Sequence, residues 1–283
     1  MKTKYAKFSI KPNWLLCPLF SMSALLIFSG NSTAQTLGLS DGGSTATVDL
    51  TGGGGMNSWT VLGQNQLQQQ WFYYSVNGSS VQAINQLGAP TINAYSPNLL
   101  DVTYANSQLS VEVQYSLTGG GVGSGAADMA ENLYIKNVSG ADIANMNFFQ
   151  YSHFNLLGTG NNSIQMYGDP VNGYGAVQQS SGATAIQEAI ALPNANGAEA
   201  ALAGQTLSRF ATIPGYNLND NLIAGPGDVT WAFEWSQGLN AGDTLNIIKD
   251  KNLQIAMVPE PSTLGLIALG VGAFGSRLLR RRN

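Results

Sequence analysis

Regular alternation of apolar and polar residues constrains the fold of this chain more than any other feature. Between Leu109 and Leu117 every odd-numbered position is Leu, Val or Tyr, and every even-numbered position is Ser, Glu or Gln. Side chains on a β-strand point alternately to opposite faces, so the segment predicts a strand with one buried and one solvated face. Residues 229–235 alternate in the same way, with Trp231, Phe233 and Trp235 in phase.

Less regular segments predict further strands along the chain. They cover residues 45–50, 70–76, 130–137, 146–155, 244–249 and 252–257. A turn at 238–242 is expected to join strand 229–235 to strand 244–249 as a hairpin. Glycine-rich turns separate the strands, for example at 52–55 and 119–125. Many short strands with such turns predict an all-β fold, an antiparallel β-sandwich resembling a jelly roll.

One alanine-rich segment departs from the β pattern. In residues 197–210, Leu202, Leu207 and Phe210 recur at loosely helical spacing. This segment predicts one short helix.

The first 34 residues have the three parts of a secretory signal peptide. Lysines at positions 2, 4, 7 and 11 precede an apolar stretch at 14–28, and small or polar residues follow at 29–34. Cleavage is predicted between Ala34 and Gln35, with a retained N-terminal anchor as the alternative. Cys17 is the only cysteine, so a body that begins at Gln35 has no disulfide and no thiolate metal site.

The last 26 residues combine a proline motif, an apolar run and a basic cluster. Pro259, Glu260 and Pro261 favour an extended peptide because each proline fixes its own φ and restricts the residue before it. Residues 262–276 carry no charge, and as a helix they would extend about 22 Å. One short C-terminal transmembrane helix is predicted. Arginines at its end would stay on the cytoplasmic side and set the topology: Arg277, Arg280, Arg281 and Arg282.

This order of features resembles the PEP-CTERM sorting signal of bacterial exported proteins, whose tail also carries the label ice-binding protein C-terminal domain. The resemblance implies that secretion machinery and signal peptidase export the protein, and that an exosortase-type membrane enzyme recognises Pro259, Glu260 and Pro261. It implies transport through the inner membrane, a single-pass anchor, and then a place on the cell surface or outside the cell. Because the family is associated with exopolysaccharide producers, it also implies a role in a biofilm.

Residues 225–251 resemble a recurring ending of the passenger domains that precede such tails. This second resemblance supports a β fold and implies no activity. The chain is therefore divided into a signal peptide (1–34), an exported β-sandwich (35–257) and a sorting signal (258–283).

Charge argues against nucleic-acid partners. Residues 35–257 contain four Lys or Arg and fifteen Asp or Glu, which gives a net charge of −11. A body of that sign repels phosphate backbones.

Few residues offer catalytic chemistry. His153 is the only histidine, so neither a Cys–His site nor a multi-histidine metal site can form, and it is expected on a strand surface. Two carboxylates would suffice for glycoside hydrolysis, and the sequence offers Glu112, Glu131, Glu188, Glu199 and Glu234 without showing which of them pair. Glu234 is the best single candidate, with a solvent-facing strand position as the alternative. The glycines at 119–125 lack the Gly-Lys-Ser/Thr of a phosphate loop and predict a flexible turn.

Two other features suggest binding. The aromatic block Trp71, Phe72, Tyr73 and Tyr74 could stack on sugars or fill the core. Turns containing Asp41, residues 217–221 and Asp228 could hold a structural calcium ion, and no other cofactor or metal is expected.

The leading hypothesis is a non-enzymatic, exported and tail-sorted surface or matrix protein. The alternatives are a carbohydrate- or surface-binding adhesin, which the aromatic block favours, and an enzyme that acts on polysaccharide, which the carboxylates would require.

Overall fold

The computed structural model describes residues 35–256. The predicted signal peptide, the sorting signal and the apolar run predicted to span the membrane lie outside these residues. So do Ala34, Pro259, Glu260, Pro261, Arg277, Arg280, Arg281 and Arg282. Between residues 35 and 256, no helix is both long enough and apolar enough to cross a bilayer.

This part of the chain contains eighteen β-strands, one α-helix and two short 3-10 helices. The strands are β1 (Thr36–Asp41), β2 (Ser44–Asp49), β3 (Gly55–Val61), β4 (Gln64–Asn65), β5 (Leu67–Val76), β6 (Gln82–Ala83), β7 (Thr91–Ser96), β8 (Leu99–Ala105), β9 (Leu109–Gly119), β10 (Ala126–Asn137), β11 (Ile143–Phe154), β12 (Asn162–Asp169), β13 (Gly173–Ser181), β14 (Thr184–Leu192), β15 (Gly197–Leu202), β16 (Ile223–Gly227), β17 (Val229–Leu239) and β18 (Thr244–Gln254). The helices are α1 (Gln205–Thr212) and the 3-10 turns Ile84–Gln86 and Leu156–Gly158.

The strands form two nine-stranded sheets. Sheet A has the order β1-β2-β3-β5-β11-β17-β15, with β4 beside β3 and β6 beside β5. Sheet B has the order β16-β12-β13-β14-β18-β10-β9-β8-β7. The pairing is antiparallel apart from a short parallel contact between β3 and β5. The predicted antiparallel arrangement is therefore confirmed.

The two sheets enclose one apolar core. Strand β9 shows the cause most clearly, because its Leu, Val and Tyr side chains are buried while the residues between them are partly exposed. Aromatic side chains fill much of the space, and Trp59, Trp71 and Trp231 are fully buried. The rings of Phe154 and Trp231 stack with centroids 5.1 Å apart. Aromatic packing of this kind contributes about 0.5–1.5 kcal/mol per pair beyond the buried area.

The outer faces of the sheets differ. Helix α1 and the segment after it cover part of sheet A, where Phe149, Phe210, Leu218 and Ala232 form a second, smaller core. On sheet B, the outward residues of β18 are all exposed. Sheet B therefore presents an open polar face to solvent.

The predicted hairpin between residues 229–235 and 244–249 was wrong. Strands β17 and β18 do not form a hairpin: β17 pairs with β11 and β15 in sheet A, whereas β18 pairs with β10 and β14 in sheet B. The chain crosses from sheet A to sheet B between these strands, and both strands bury large apolar side chains in the core. Residues 244–254 form one strand, in which the alternation continues through Lys249 and Lys251.

The one short helix predicted in residues 197–210 is present, but only the last part of that segment is helical. Its first part is strand β15, whose small alanines pack against β17, and helix α1 begins only after Gly204. Gly204 has φ +78°, a left-handed conformation that ends the strand and that glycine adopts without steric cost. The two sheets contain nine strands each, whereas a jelly roll, which the predicted sandwich was expected to resemble, has eight strands in total.

Candidate functional site

Gln35, the residue after the predicted cleavage point, is integrated into the fold. Its backbone N–H donates to Thr51 Oγ1 at 3.0 Å, and its carbonyl accepts the Leu50 N–H at 2.8 Å. The ordered body thus includes the residue where the mature chain is predicted to begin. The predicted sorting residues lie outside the described residues, so their assignments stay predictions.

A row of polar side chains crosses the open face of sheet B. Strand register places these residues side by side on five neighbouring strands. In order, they are Gln165, Gln178, Gln187, Asn252 and Asp128. Neighbouring strands lie about 4.8 Å apart, so the row offers amide and carboxylate groups at a regular spacing.

Small residues form the next row along the same strands. Ala176 on β13 lies opposite Ala189 on β14, which lies opposite Asp250 on β18. Tyr167, about half exposed, flanks them on β12. Because the side chains of Ala176 and Ala189 are small, they leave a shallow depression of about 360 Å³ in this face. It is lined by these residues together with Gln178, Gln187 and Asn252.

Asp250 lines this depression, and Asp128 lies on β10 opposite Asn252, another of its lining residues. Burial, together with hydrogen bonding to Asp250 and the charge of Asp250, raises the pKa of Asp128 to about 6. Asn252 opposes the shift by hydrogen bonding to Asp128. The depression therefore combines amide donors and acceptors with an acidic pair, and it would disfavour an anionic ligand.

Glu234, the catalytic candidate from the sequence, is not on an open surface. It lies on β17 at 3% exposure, so the solvent-facing alternative was wrong. Its Oε2 accepts the Leu218 N–H at 2.8 Å, and its Oε1 has no hydrogen-bond partner within the described residues. Burial raises its pKa to about 7, and the charge of Asp220 acts in the same direction. The carboxylates of Glu234 and Asp220 both line a hollow of about 200 Å³.

His153 lies on β11 with a partly exposed side chain. Its Nε2 is 2.7 Å from Asp228 Oδ1, and this contact ties β11 to the turn between β16 and β17. A partly exposed strand position agrees with the expectation from the sequence.

The aromatic block fills the interior. Trp71 and Phe72 are fully buried, and Tyr74 is 6% exposed. Phe72 stacks on Phe148 at 5.8 Å, while Tyr73 packs against Phe210 at 5.3 Å. Trp71, Phe72 and Tyr74 are buried and have no free face for a sugar ring, while Tyr73 is partly exposed, so the block as a whole favours the core-packing alternative.

The three turns considered for calcium use their carboxylates within the protein. Asp41 Oδ2 accepts the Gly119 N–H at 2.8 Å, Asp220 Oδ1 accepts the Ala198 N–H at 3.2 Å, and Asp228 contacts His153. Across residues 35–256, no three His, Cys, Asp or Glu side chains are grouped in a way that could hold a metal ion. A structural calcium ion stays a prediction.

Sequence reasoning missed the charged side chains inside the sandwich. Lys249 and Lys251 point inward on β18, next to Glu131 of β10 and Glu188 of β14. A signal was present in the sequence, because each of these residues is in phase with the apolar residues of its strand.

The family model for the PEP-CTERM protein-sorting motif matches residues 258–282. This chain carries a PEP-CTERM protein-sorting motif. The motif contains Pro259, Glu260 and Pro261, and it signals export with processing at the membrane. It implies an exosortase as the processing partner.

Two solved structures from carbohydrate-active proteins resemble the body that precedes the PEP-CTERM motif. A bacterial glucoamylase complexed with acarbose has a TM-score of 0.54 and 7% identity, covering 85% of this chain and 36% of the glucoamylase. A putative kojibiose phosphorylase from the human microbiome has a TM-score of 0.37 and 10% identity, covering 85% and 33% of the two chains. The chain thus spans about a third of each. At 7% identity the glucoamylase likeness concerns the fold alone. No curated protein matches the sequence.

Proposed function

We propose that this PEP-CTERM protein is a non-enzymatic surface or matrix protein that binds a polysaccharide on the open face of sheet B. The observation that carries the proposal is the polar row of Gln165, Gln178, Gln187, Asn252 and Asp128 beside the alanine-floored depression. Its role in a biofilm would be to connect the sorted protein to extracellular glycan.

The chemistry of the row suits sugars. Amides supply both donors and acceptors, which match hydroxyl groups that themselves donate and accept. The floor of Ala176 and Ala189 lets a flat ring approach the sheet, and the exposed ring of Tyr167 offers a stacking surface beside it. A face that continues across five strands suits an extended polymer better than a single small ligand.

Charge narrows the class of glycan. Asp128 and Asp250 lie on this face, and the body as a whole carries a net charge of −11. An acidic polysaccharide would be repelled. The proposed ligand is therefore a neutral glycan or one with amino groups.

The test is retention of the exported protein in native gels that contain neutral, amino or acidic polysaccharide. Retardation by a neutral or amino glycan is expected, and the variant Gln187→Ala should weaken it several-fold, since one hydrogen bond contributes about 1 kcal/mol. Gln64→Ala, at an exposed position on β4 of sheet A, is the matched control and should bind like the parent. Equal mobility in every glycan would contradict the proposal.

A further inference from the structure

Four charged side chains lie in the interior between the two sheets. Glu131, Glu188, Lys249 and Lys251 each have 0% side-chain exposure. We call them the Lys–Glu cluster. Removing such ions from water costs several kcal/mol each, and replacing them with apolar residues is often neutral or stabilising. Packing alone therefore does not account for their presence.

The register of sheet B places the four groups together. Lys249 lies directly opposite Glu131, and Lys251 lies directly opposite Glu188. Lys249 Nζ contacts Glu131 Oε2, and Lys251 Nζ is 2.7 Å from Glu131 Oε1. Each lysine is also 3.6 Å from one oxygen of Glu188. Both oxygens of Glu131 thus face an amine, while Glu188 lies within reach of the same nitrogens.

Sheet A covers the Lys–Glu cluster and restricts its geometry. Gln70 Nε2 donates to Glu131 Oε2 at 3.2 Å, and Gln150 Nε2 donates to Glu188 Oε2 at 2.7 Å. The ring of Phe72 lies 5.1 Å from Lys249 Nζ. Within the described residues, Glu188 Oε1 has no hydrogen-bond partner, so this oxygen is available to accept a proton.

We propose that Lys249 and Glu131 condense into an intramolecular isopeptide bond, with Glu188 as the base and Lys251 as the stabilising cation. The reaction joins β18 to β10 at residues that are 118 positions apart in the chain. It is a self-modification that needs no cofactor.

The atoms balance as a dehydration. The Lys249 ammonium first passes a proton to the Glu131 carboxylate, giving an amine and a neutral acid. Nζ then attacks Cδ of Glu131, and the ammonium of Lys251 stabilises the charge that develops on Oε1. Glu188 Oε1 takes the proton from the attacking nitrogen and returns it to the departing hydroxyl on Oε2. A C–N bond forms, the Cδ–Oε2 bond breaks, and one water leaves.

The electrostatics of the interior bear on each of these roles. Burial acts to raise the pKa of Glu131, but the charges of Lys249 and Lys251 outweigh it and lower that pKa, so the first proton transfer to Glu131 is the unfavourable step. Burial lowers the pKa of Lys249 to about 8, which makes its amine form accessible. Burial acts in the same direction on Lys251, but the charges of Glu131 and Glu188 outweigh it and raise the pKa of Lys251, so this group remains a cation. Condensation replaces one buried ion pair by a neutral amide, which relieves part of the desolvation cost. Lys251 and Glu188 remain as a balanced pair.

A covalent link would also have a structural use in this body. Residues 35–257 contain no cysteine, so a disulfide cannot restrict the unfolded chain. A bond between β10 and β18 would close a long loop and stabilise the sandwich in the way a disulfide does.

Tryptic mapping of the denatured protein tests the proposal directly. Cleavage after Lys249 should be blocked, and the peptide that ends at Lys136 should be recovered joined to the peptide 210–251. The mass of the joined species should be one water below the sum of its parts. Cleavage after Lys249, with the peptide that ends at Lys136 and the peptide 210–249 both recovered separate and unmodified from the folded parent protein, would overturn the proposal.

Two variants assign the roles. Lys249→Arg should give no link, because a guanidinium stays charged and does not attack. Glu188→Gln keeps an oxygen for the Gln150 hydrogen bond but removes the base, and freshly synthesised protein should link about a hundredfold more slowly. If Glu188→Gln formed the bond as fast as the parent, Glu188 would not be the base. If the bond were found at Lys251, Lys249 would not be the nucleophile.

Discussion

Arg209 Nη1 lies 2.6 Å from Glu199 Oε1, and this ion pair fastens helix α1 to the edge strand β15 of sheet A. Glu199 is fully buried, whereas the Arg209 side chain is 31% exposed. The hydroxyl of Tyr216 donates to the other carboxylate oxygen at 2.6 Å, and the Thr206 hydroxyl donates to Oε1. One buried carboxylate therefore organises both the helix and the segment that follows it.

Replacing Arg209 with Met should leave the Glu199 charge buried without its cation. We expect the free energy of unfolding to fall by about 2–3 kcal/mol, somewhat less than for a fully buried pair because the guanidinium is partly solvated. Urea denaturation at neutral pH measures the change. Lys136→Met, at an exposed position on β10, is the matched control and should stay within about 0.5 kcal/mol of the parent. Equal losses in the two variants would contradict the role given to the pair.

Glu234 should make stability fall as pH rises. Its folded pKa of about 7 lies above the unfolded value of about 4.5, so the folded protein binds this proton more tightly. The stabilisation is fully present below about pH 4.5, and it is lost as pH rises to about 7, with a total change of about 3 kcal/mol. Asp128, whose pKa is raised to about 6, contributes with the same sign.

Glu234→Gln should therefore reduce the loss of stability between pH 5 and pH 8. The amide oxygen can still accept the Leu218 N–H, and no charge forms at high pH. Urea denaturation at the two pH values checks the result. Glu112→Gln, on the outer face of sheet B, should retain the pH dependence of the parent. An unchanged pH dependence in Glu234→Gln would contradict the raised pKa.

Gly55 should be far less tolerant of alanine than Gly63. Both residues have positive φ, +61° and +73°, so an alanine strains the backbone at either position. At Gly55 the added carbon would also overlap the ring of Trp71, whereas at Gly63 it meets open space. We expect a loss of about 1 kcal/mol for Gly63→Ala and at least about 3 kcal/mol for Gly55→Ala. Thermal denaturation of the two variants measures both losses, and equal losses of stability would contradict the predicted clash with Trp71.

Glu260→Ala should interfere with processing of the PEP-CTERM motif. In the native host, the parent should lose its tail and the variant should keep it in the membrane fraction, as intact mass will show. Ser262→Ala, two residues away, is the control and should be processed normally. Retention of the tail in the parent as well would indicate a plain anchor.

Much of the fold follows from local patterns. The alternation at 109–117 and 229–235 predicted strands that the structure contains as β9 and β17. The sorting motif was also evident from sequence, because its parts are contiguous and their order carries the information. Partner strands were harder to predict, as the hairpin wrongly expected between β17 and β18 shows, since strand pairing depends on contacts between residues far apart in the chain.

The sequence by itself determined the alternating strands, the absence of cysteine after residue 17, the acidic body and the PEP-CTERM motif, because each is a property of neighbouring residues or of composition. Only the tertiary structure decided which carboxylates meet which amines. Glu131, Glu188, Lys249 and Lys251 come from three strands, and their contacts arise from the order of strands in sheet B. The polar row on the outer face of sheet B has the same origin. Antiparallel register places residues side by side that lie far apart in the chain and at no fixed spacing in the sequence.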